Sequence, residues 1–199
     1  MTGILIEGVT GAGKTQTLQA VKNHRKFAEL LGSGPVFSED ETFGEVMAEM
    51  QEVGVSNNYL LRRLPTVLGL LEQDGAGVGF VLERFHLSYY ALLPDWDLYA
   101  GFDERLARLN CLTVLLNMPE EDIAQRCIDR EDRVGSTWSN DMIAHFGSRA
   151  GVVDAIVQST RRRQEAAKKS RLSILQIDSG LKAWHLYAEE IVEAWSALI

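Results

Sequence analysis

The chain has 199 residues, of which 46% are apolar, and its formal net charge is −8. This length and apolar content are enough for one well-buried core, so we expect a single domain over residues 1–199. The acidic balance argues against nucleic acid and anionic membranes as partners, because both require a basic face. No apolar run approaches the roughly 20 residues that span a bilayer, and we expect a cytoplasmic protein. Cys111 and Cys127 lack metal-ligand spacing and are expected to be buried free thiols.

Short apolar runs alternate along the chain with segments in which apolar residues recur at helical spacing. Strands are predicted at about 3–8, 36–38, 78–82, 112–116 and 172–177. Helices are predicted at about 14–31, 43–53 and 58–73, within 86–109, from about 120, within 139–169, and from about 184 to 198. This alternation indicates an α/β fold, in which a parallel sheet of five strands lies between two layers of helices.

The turn after the first strand carries the clearest functional motif of the chain. Residues 8–15 read Gly-Val-Thr-Gly-Ala-Gly-Lys-Thr, which matches the phosphate-loop pattern G-x-x-x-x-G-K-[ST]. Its glycines permit a tight backbone in which successive N–H groups turn inward around a polyphosphate. An apolar strand before the loop and a helix after it are the context that distinguishes this motif from a glycine-rich turn. The expected nucleotide-binding residues here are Gly8, Gly11, Ala12, Gly13, Lys14, Thr15 and Gln16.

Two side chains of this loop have distinct chemical tasks. The Lys14 ammonium can reach the β- and γ-phosphates, which makes it a candidate catalytic residue, and the Thr15 hydroxyl can ligate Mg²⁺. The helix that begins here adds its positive N-terminal dipole. The sequence therefore predicts that the chain binds a nucleoside triphosphate.

Missing motifs narrow the class of phosphate-loop protein. The sequence contains neither the Asn-Lys-x-Asp motif with which GTPases read their base nor the Leu-Ser-Gly-Gly signature of transporter ATPases. The third strand leads into Glu83-Arg84 rather than into the adjacent acids of motor and remodelling ATPases. Small-molecule kinases, which have an arginine-rich closing lid, remain.

Several short motifs, in the right order, resemble those of thymidylate kinases and deoxynucleoside kinases. Residues 81–90 read Val-Leu-Glu-Arg-Phe-His-Leu-Ser-Tyr-Tyr and are similar to the Asp/Glu-Arg motif at the end of the third strand in both families. Ile-Glu-Gly at 6–8 matches their lead into the phosphate loop, and residues of about 126–138 look like their lid. Ile-Asp-Ser-Gly at 177–180 is similar to the loop that borders the adenine, which makes Asp178 a candidate nucleotide contact.

The resemblance has consequences for fold, cofactors and partners. It implies a three-layer phosphate-loop NTPase fold with the strand order 2-3-1-4-5 and an arginine-rich lid. It implies ATP and Mg²⁺ as cofactors and a small-molecule acceptor as partner. It also implies a homodimer.

The two residues of the Glu83-Arg84 pair have separate predicted roles. As a carboxylate at a strand end, Glu83 can hold Mg²⁺ through a water opposite Thr15; a salt bridge with a neighbouring cation is the alternative. The resemblance implies that Arg84 faces the acceptor, where a guanidinium suits an oxyanion. Both are candidate catalytic residues.

Arg126, Arg130 and Arg133 are spaced so that a continuing helix would place all of them on one face. Stacked like charges repel by roughly a few tenths of a kcal/mol per pair, which an anionic ligand would offset. We expect a lid that closes on the triphosphate and stabilises charge on the transferring group, with Arg130 as the main catalytic candidate. A solvated face with an Asp129–Arg133 pair is the alternative.

Glu39, Asp40 and Glu41 form an acid cluster after the second strand. Deoxynucleoside kinases have a glutamate here that deprotonates the acceptor hydroxyl, and the resemblance implies this role for Glu39, with its two neighbours as alternatives. A cluster favoured by a helix dipole is the structural interpretation. Carboxylates here would repel a phosphorylated acceptor, which favours a neutral one. Arg62, Arg63 and Arg84 could still form a phosphate site, so a monophosphate acceptor is the alternative.

Two further groups of residues, one basic and one aromatic, are expected to have structural roles. The basic run at 161–163 is expected to be a solvated helix face. Five aromatic residues are candidates for stacking on an acceptor base, with core packing favoured for each: Phe43, Tyr59, Phe85, Tyr89 and Tyr90.

The leading interpretation is a kinase that transfers the γ-phosphoryl group of ATP, with Mg²⁺, to a hydroxyl of a nucleoside or nucleoside-like small molecule. A thymidylate-kinase-like nucleoside monophosphate kinase and a small-molecule or antibiotic phosphotransferase are the enzyme alternatives. An ATP-binding switch protein is the alternative from a different class.

Overall fold

A parallel five-stranded sheet is the centre of the fold. The structure, a computed structural model, describes residues 2–38, 42, 57–73 and 79–199, without the side chains of 57–63 and 73. The strands are β1 (Thr2–Gly8), β2 (Val36–Phe37), β3 (Gly79–Glu83), β4 (Leu112–Asn117) and β5 (Ser173–Asp178). Their order is β2-β3-β1-β4-β5, which confirms the predicted order.

The helices lie between the strands along the chain. They are α1 (Lys14–Lys22), α2 (Arg25–Leu31), α3 (Asn57–Gln73), α4 (His86–Leu92), α5 (Ala100–Arg108), α6 (Thr137–Phe146), α7 (Arg149–Lys169) and α8 (Trp184–Ser196). The chain also forms short 3₁₀ turns at Trp96–Leu98 and Glu120–Asp122 and a π-helical turn at Ala124–Ile128. The helix predicted at 43–53 lies outside the described residues.

One predicted helix is divided in two. The pattern over 14–31 predicts a continuous helix, but α1 ends at Lys22 and α2 begins at Arg25. His24 between them is extended, with φ −79° and ψ 122°, and its N–H donates to the Val21 carbonyl. The apolar spacing continues across the turn because Val21 and Phe27 still pack in the same core cluster.

The core has two layers because successive strand residues face opposite sides of the sheet. Ile4 and Ile6 of β1 pack with α1, α2 and α8, whereas Leu5 between them packs with α3, α4 and α5. The apolar face of α8 is buried in the first layer through Tyr187, Ala188, Ile191 and Trp195. Both cysteines are buried free thiols, as predicted. Among the helices of the described residues, none has the length and apolar character needed to cross a membrane.

The parallel arrangement brings the functional segments to one edge of the sheet. Ile6 pairs with Glu83, and Asn117 pairs with Asp178, so all four strand ends point the same way. The phosphate loop follows β1 at this edge, and the segments after β3, β4 and β5 surround it. Open α/β sheets bind ligands at this edge.

Candidate active site

The phosphate loop connects β1 to α1, and its glycines are required by both its backbone and its neighbours. Gly11, with φ 75°, and Gly13, with φ 91°, are in the left-handed region that other residues rarely adopt. A Cβ atom at Gly11 would lie 2.6 Å from the carbonyl oxygen of Arg126. One at Gly13 would lie 2.3 Å from the Trp184 ring. The backbone conformation and the close packing of Arg126 and Trp184 against the loop therefore both require glycine at these two positions.

Lys14 lies across this loop. Its Nζ donates to the Val9 carbonyl at 3.3 Å, and the Ala12 N–H donates to the same carbonyl at 3.2 Å. The Lys14 side chain is buried, while Thr15 and Gln16 are exposed at the start of α1. The first N–H groups of a helix have no partners within it, and Gly13 before α1 supplies no side-chain cap. This arrangement suits a bound anion.

A side-chain hydrogen bond at this edge joins Thr15 to Glu83. Thr15 Oγ1 donates to Glu83 Oε1 at 3.2 Å, and the glutamate is 3% exposed. A hydroxyl and a carboxylate oxygen are hard ligands that fit Mg²⁺. The described residues contain no group of three or more His, Cys, Asp and Glu that could hold a metal. A cation between Thr15 and Glu83 would therefore complete its coordination with phosphate and water oxygens, as Mg²⁺ commonly does.

The end of β3 is tied to the chain that follows β2. Thr42 Oγ1 donates to the Glu83 carbonyl, and the Tyr89 hydroxyl donates to the Thr42 carbonyl at 2.7 Å. Arg84 has a left-handed backbone with φ 57°, and its N–H donates to the Ile6 carbonyl at 2.9 Å. Such backbone conformations in non-glycine residues concentrate at functional sites.

The acid cluster falls outside the described residues, so the role of Glu39 and the alternatives Asp40 and Glu41 stay predictions. The same holds for Phe43 and for the side chains of residues 59, 62 and 63.

The arginine-bearing segment differs from its prediction. A helix with three arginines on one face is expected, but the chain forms the 3₁₀ turn, then the π-helical turn, and then hydrogen-bonded turns through residue 136. The Asp129 N–H closes the π turn on the Ala124 carbonyl at 3.0 Å. Because a π turn holds more residues than an α turn, the side chains after it no longer share the face of Arg126.

Each of the three arginines therefore has a different environment. Arg126 is buried, and donates from Nε to the Gly11 carbonyl at 3.1 Å and from Nη1 to the Ser179 carbonyl at 2.8 Å. Arg130 forms a two-point pair with Asp132, at 2.9 and 2.6 Å. The Arg133 guanidinium lies 4.0 Å from the centre of the Trp138 ring.

Asp129 pairs with Arg149 rather than with Arg133, the partner that the alternative interpretation gave it. Arg149 at the start of α7 donates to Asp129, with Nε 3.0 Å from Oδ1. The hydrogen bond from Arg149 holds the pKa of Asp129 below its usual value. The segment is thus connected to α7 through Asp129.

Asp178 lies at the end of β5, where its Oδ1 accepts the Gly180 N–H at 2.8 Å. The next residue, Ser179, donates its N–H to the Asn117 carbonyl at 2.7 Å and accepts from Arg126. The loop after β5 is therefore held between β4 and the π turn.

Comparison with known proteins shows a shared fold rather than a shared sequence. No protein-family model matches the chain, and no curated protein matches it. Solved structures do match. A sugar kinase from Janibacter sp. has a TM-score of 0.58 and 16% identity over 100% of this chain and 95% of its own. A thymidylate kinase from Candida albicans has a TM-score of 0.60 and 17% identity, over 98% and 91% of the two chains.

A deoxyadenosine kinase from M. mycoides has a TM-score of 0.54 and 14% identity, over 98% of this chain and 99% of its own. The chain shares the fold of these three proteins. These matches cover nearly the full length of both partners. At such low identity they establish the fold alone.

The sequence analysis missed a buried polar network around Glu7 of β1. Glu7 is fully buried and accepts the Phe85 N–H at 2.8 Å and the Ser88 hydroxyl at 2.5 Å. Ser88 Oγ in turn accepts from Arg163 Nε at 3.3 Å. The expected solvated face at 161–163 is therefore wrong at Arg163, which is 4% exposed. The signal was Glu7 itself, because a carboxylate in an apolar strand requires a buried partner.

A second buried pair joins the start of α4 to α5. His86 Nε2 is 3.0 Å from Asp103 Oδ1, and both side chains are buried. Burial raises the pKa of Asp103, but hydrogen bonds from His86, the Arg171 N–H and Ser170 outweigh it and leave the pKa below its usual value. This pair connects α4, α5 and the start of β5.

The described aromatic candidates lie in the core. Phe85, Tyr89 and Tyr90 are at most 1% exposed and belong to the second core layer. Core packing, the favoured interpretation of each, agrees with these positions.

Proposed function

We propose that the protein transfers the γ-phosphoryl group of ATP, with Mg²⁺, to a hydroxyl of a nucleoside or nucleoside-like small molecule. The contact that carries this proposal is the 3.2 Å hydrogen bond between Thr15 of the phosphate loop and Glu83 at the end of β3. A loop that bound only phosphate would gain nothing from a buried carboxylate beside its hydroxyl, because like charges repel. A nucleotide bound with Mg²⁺ needs both oxygens.

The donor half of the reaction would use the phosphate loop. Backbone N–H groups from Gly8 to Gln16 would hold the phosphates, and Lys14 would neutralise charge on the β- and γ-phosphates. Mg²⁺, held by Thr15 and Glu83, supplies further charge neutralisation when bound. Asp178 would lie beside the adenine.

Arginines outside the loop would stabilise the transferring group. The two-point pair of Arg130 with Asp132 shows a guanidinium arranged as an oxyanion would require it. The Arg130 side chain is 41% exposed, and exposed pairs contribute little, so a phosphate can replace the aspartate. Arg133, in the same segment as Arg130, would also approach the triphosphate. Arg84 would face the acceptor.

The acceptor half rests on the acid cluster. We propose Glu39 as the base that removes the proton from the acceptor hydroxyl. The described residues that flank the cluster support this, since the Thr42 N–H donates to the Ser38 carbonyl at 3.0 Å and Thr42 is bonded to Glu83. The carboxylates of the cluster favour a neutral acceptor over a monophosphate.

The activity test separates the acceptor classes. The protein is incubated with Mg·ATP and separate pools of nucleosides, nucleoside monophosphates, sugars and hydroxylated antibiotics, and ADP release is measured. The proposal predicts turnover with nucleosides above the rate with ATP alone. If only nucleoside monophosphates increase ADP release, the acceptor is a monophosphate and not a neutral nucleoside. If no pool increases ADP release, the proposal of a kinase is wrong.

A substitution series tests the base. Glu39→Gln should lower kcat by about 10²–10⁴-fold, the usual contribution of a general base, with ATP affinity nearly unchanged. Asp40→Asn and Glu41→Gln are matched controls that should keep most of the activity. A large loss in either control together with normal turnover of Glu39→Gln would assign the base to the neighbour instead.

A further inference from the structure

The π-helical turn at Ala124–Ile128 contacts the outer side of the phosphate loop. Arg126 donates to the Gly11 carbonyl at 3.1 Å, and the Cys127 thiol donates to the Thr10 carbonyl at 3.0 Å. The backbone of the turn is equally close, since a Cβ at Gly11 would lie 2.6 Å from the Arg126 carbonyl oxygen. Two consecutive carbonyls of the loop are therefore bonded by two consecutive side chains of the turn.

We infer that this turn holds the phosphate loop in its anion-binding shape, and that Arg126 is a positioning residue that acts through the loop rather than a ligand of the triphosphate. The inference rests on the proposed function, since it concerns the same nucleotide site. The spacing of Arg126 with Arg130 and Arg133 predicts a lid residue that contacts the triphosphate, and the inference replaces that role.

Peptide geometry supports this role. A peptide unit is planar, so a fixed carbonyl also fixes the direction of the N–H that follows it. The Thr10 carbonyl, bonded to Cys127, directs the Gly11 N–H away from the turn. The next peptide unit is bonded at both ends, through the Gly11 carbonyl to Arg126 and through the Ala12 N–H to the Val9 carbonyl. The loop is thus arranged before a ligand binds.

The environment of the guanidinium distinguishes Arg126 from a phosphate ligand. Its side chain is 8% exposed, whereas that of Arg130 is 41% exposed. A buried guanidinium must keep its hydrogen bonds, and those of Arg126 go to the carbonyls of Gly11 and Ser179. Turning it toward a phosphate would leave both carbonyls without this donor.

Arg126 also links the phosphate loop to the loop after β5. Beyond Ser179, that loop leads to Trp184, whose ring packs against Gly13. The phosphate loop is therefore contacted from outside at Thr10, Gly11 and Gly13 by two segments that Arg126 joins. Loss of Arg126 should loosen both contacts together.

The test compares two ligands that share only their phosphates. Binding of Mg·ATP and of Mg·tripolyphosphate is measured by calorimetry for the native protein, Arg126→Met and Arg126→Lys. Arg126→Met should weaken both ligands by the same factor, about tenfold or more, as expected when a charged hydrogen bond is lost. Arg126→Lys should not restore affinity, because an ammonium lacks the fork that reaches both carbonyls. Arg108→Met, at an exposed arginine on α5, is the control and should bind as the native protein does.

Other outcomes would overturn the inference in recognisable ways. Recovery in Arg126→Lys, with an effect that shrinks as salt rises, would show a direct charge on the phosphates. If Arg126→Met weakened the binding of Mg·ATP but not that of Mg·tripolyphosphate, Arg126 would contact the nucleoside part of ATP. If the native protein binds neither ligand, the proposed function fails first; if it binds both and Arg126→Met binds equally well, only the positioning role fails.

A second variant keeps the test valid if Arg126→Met does not fold. Cys127→Ala removes the other donor to the loop and a single buried sulfur, and its folding is checked by circular dichroism. It should weaken tripolyphosphate several-fold. In turnover assays it should raise KM for ATP more than it lowers kcat, because the groups that act on the transferring phosphate are retained. Native affinity in this folded variant would contradict the inference.

Discussion

The phosphate loop and the arginine-bearing segment at 126–133 differ in how their sequences determine their geometry. In the loop, the backbone at Gly11 and Gly13 has left-handed conformations that only glycine readily adopts, so the glycines of the motif directly indicate the shape of the loop. In the arginine segment, the spacing of side chains has meaning only if the helix keeps its period, and the π turn at Ala124–Ile128 changes it. A motif that depends on local backbone conformation therefore predicts a site more reliably than a motif that depends on the spacing of side chains along a helix.

The largest expected effect tests the loop side of this comparison. Lys14→Ala removes the cation that would contact two phosphates in the proposed complex, and at about 1.5–3 kcal/mol per charged hydrogen bond kcat/KM should fall by about 10³-fold. ATP affinity should fall as well. Lys22→Ala, at the far end of α1, is the control. A variant that keeps native ATP affinity would show that the loop does not bind the nucleotide in the expected way.

The next effect tests the arginine segment. Arg130→Met should lower kcat by about 10²-fold, because a donor to developing charge in the transition state is lost. KM for ATP should change less. Arg149→Met breaks the exposed pair with Asp129 but leaves Arg130 in place, and should change kcat by less than threefold. Equal losses in both variants would mean that the segment acts through its attachment to α7 instead.

The boundary between the two regions can be probed without a loss of activity. Burial raises the pKa of the Cys127 thiol to about 11, so at pH 8 about 0.1% is thiolate, against about a quarter for an ordinary thiol. Alkylation by iodoacetamide, followed by mass spectrometry, should be more than 100-fold slower than in the unfolded chain. Rapid labelling of Cys127 at pH 8 would contradict the packing of the π turn on the loop.

The two regions also show how much could be predicted. The strands and the phosphate loop follow from local apolar patterns and from glycines, and the observed strand bounds agree within a residue or two. The strand order came from the family resemblance, and the structure confirms it. The π turn could not be predicted, because it depends on contacts of Arg126 and Cys127 with a loop more than 100 residues away in the chain. Arg163 was misjudged for the same reason, since its partner Ser88 lies on another helix. Local signals thus predict the phosphate loop, whereas the π turn and the environment of Arg163 depend on partners that are distant in the sequence.

The most direct test of the central claim concerns the Thr15–Glu83 contact. ADP release with the nucleoside pool is measured across Mg²⁺ concentrations for the native protein and Glu83→Gln, with Glu104→Gln on α5 as the control. We expect the native protein and the control to respond alike, and Glu83→Gln to turn over at least tenfold more slowly and to need more Mg²⁺, because a charged metal ligand is lost. A Glu83→Gln variant with native turnover and native Mg²⁺ dependence would contradict a magnesium-dependent kinase site at this edge of the sheet.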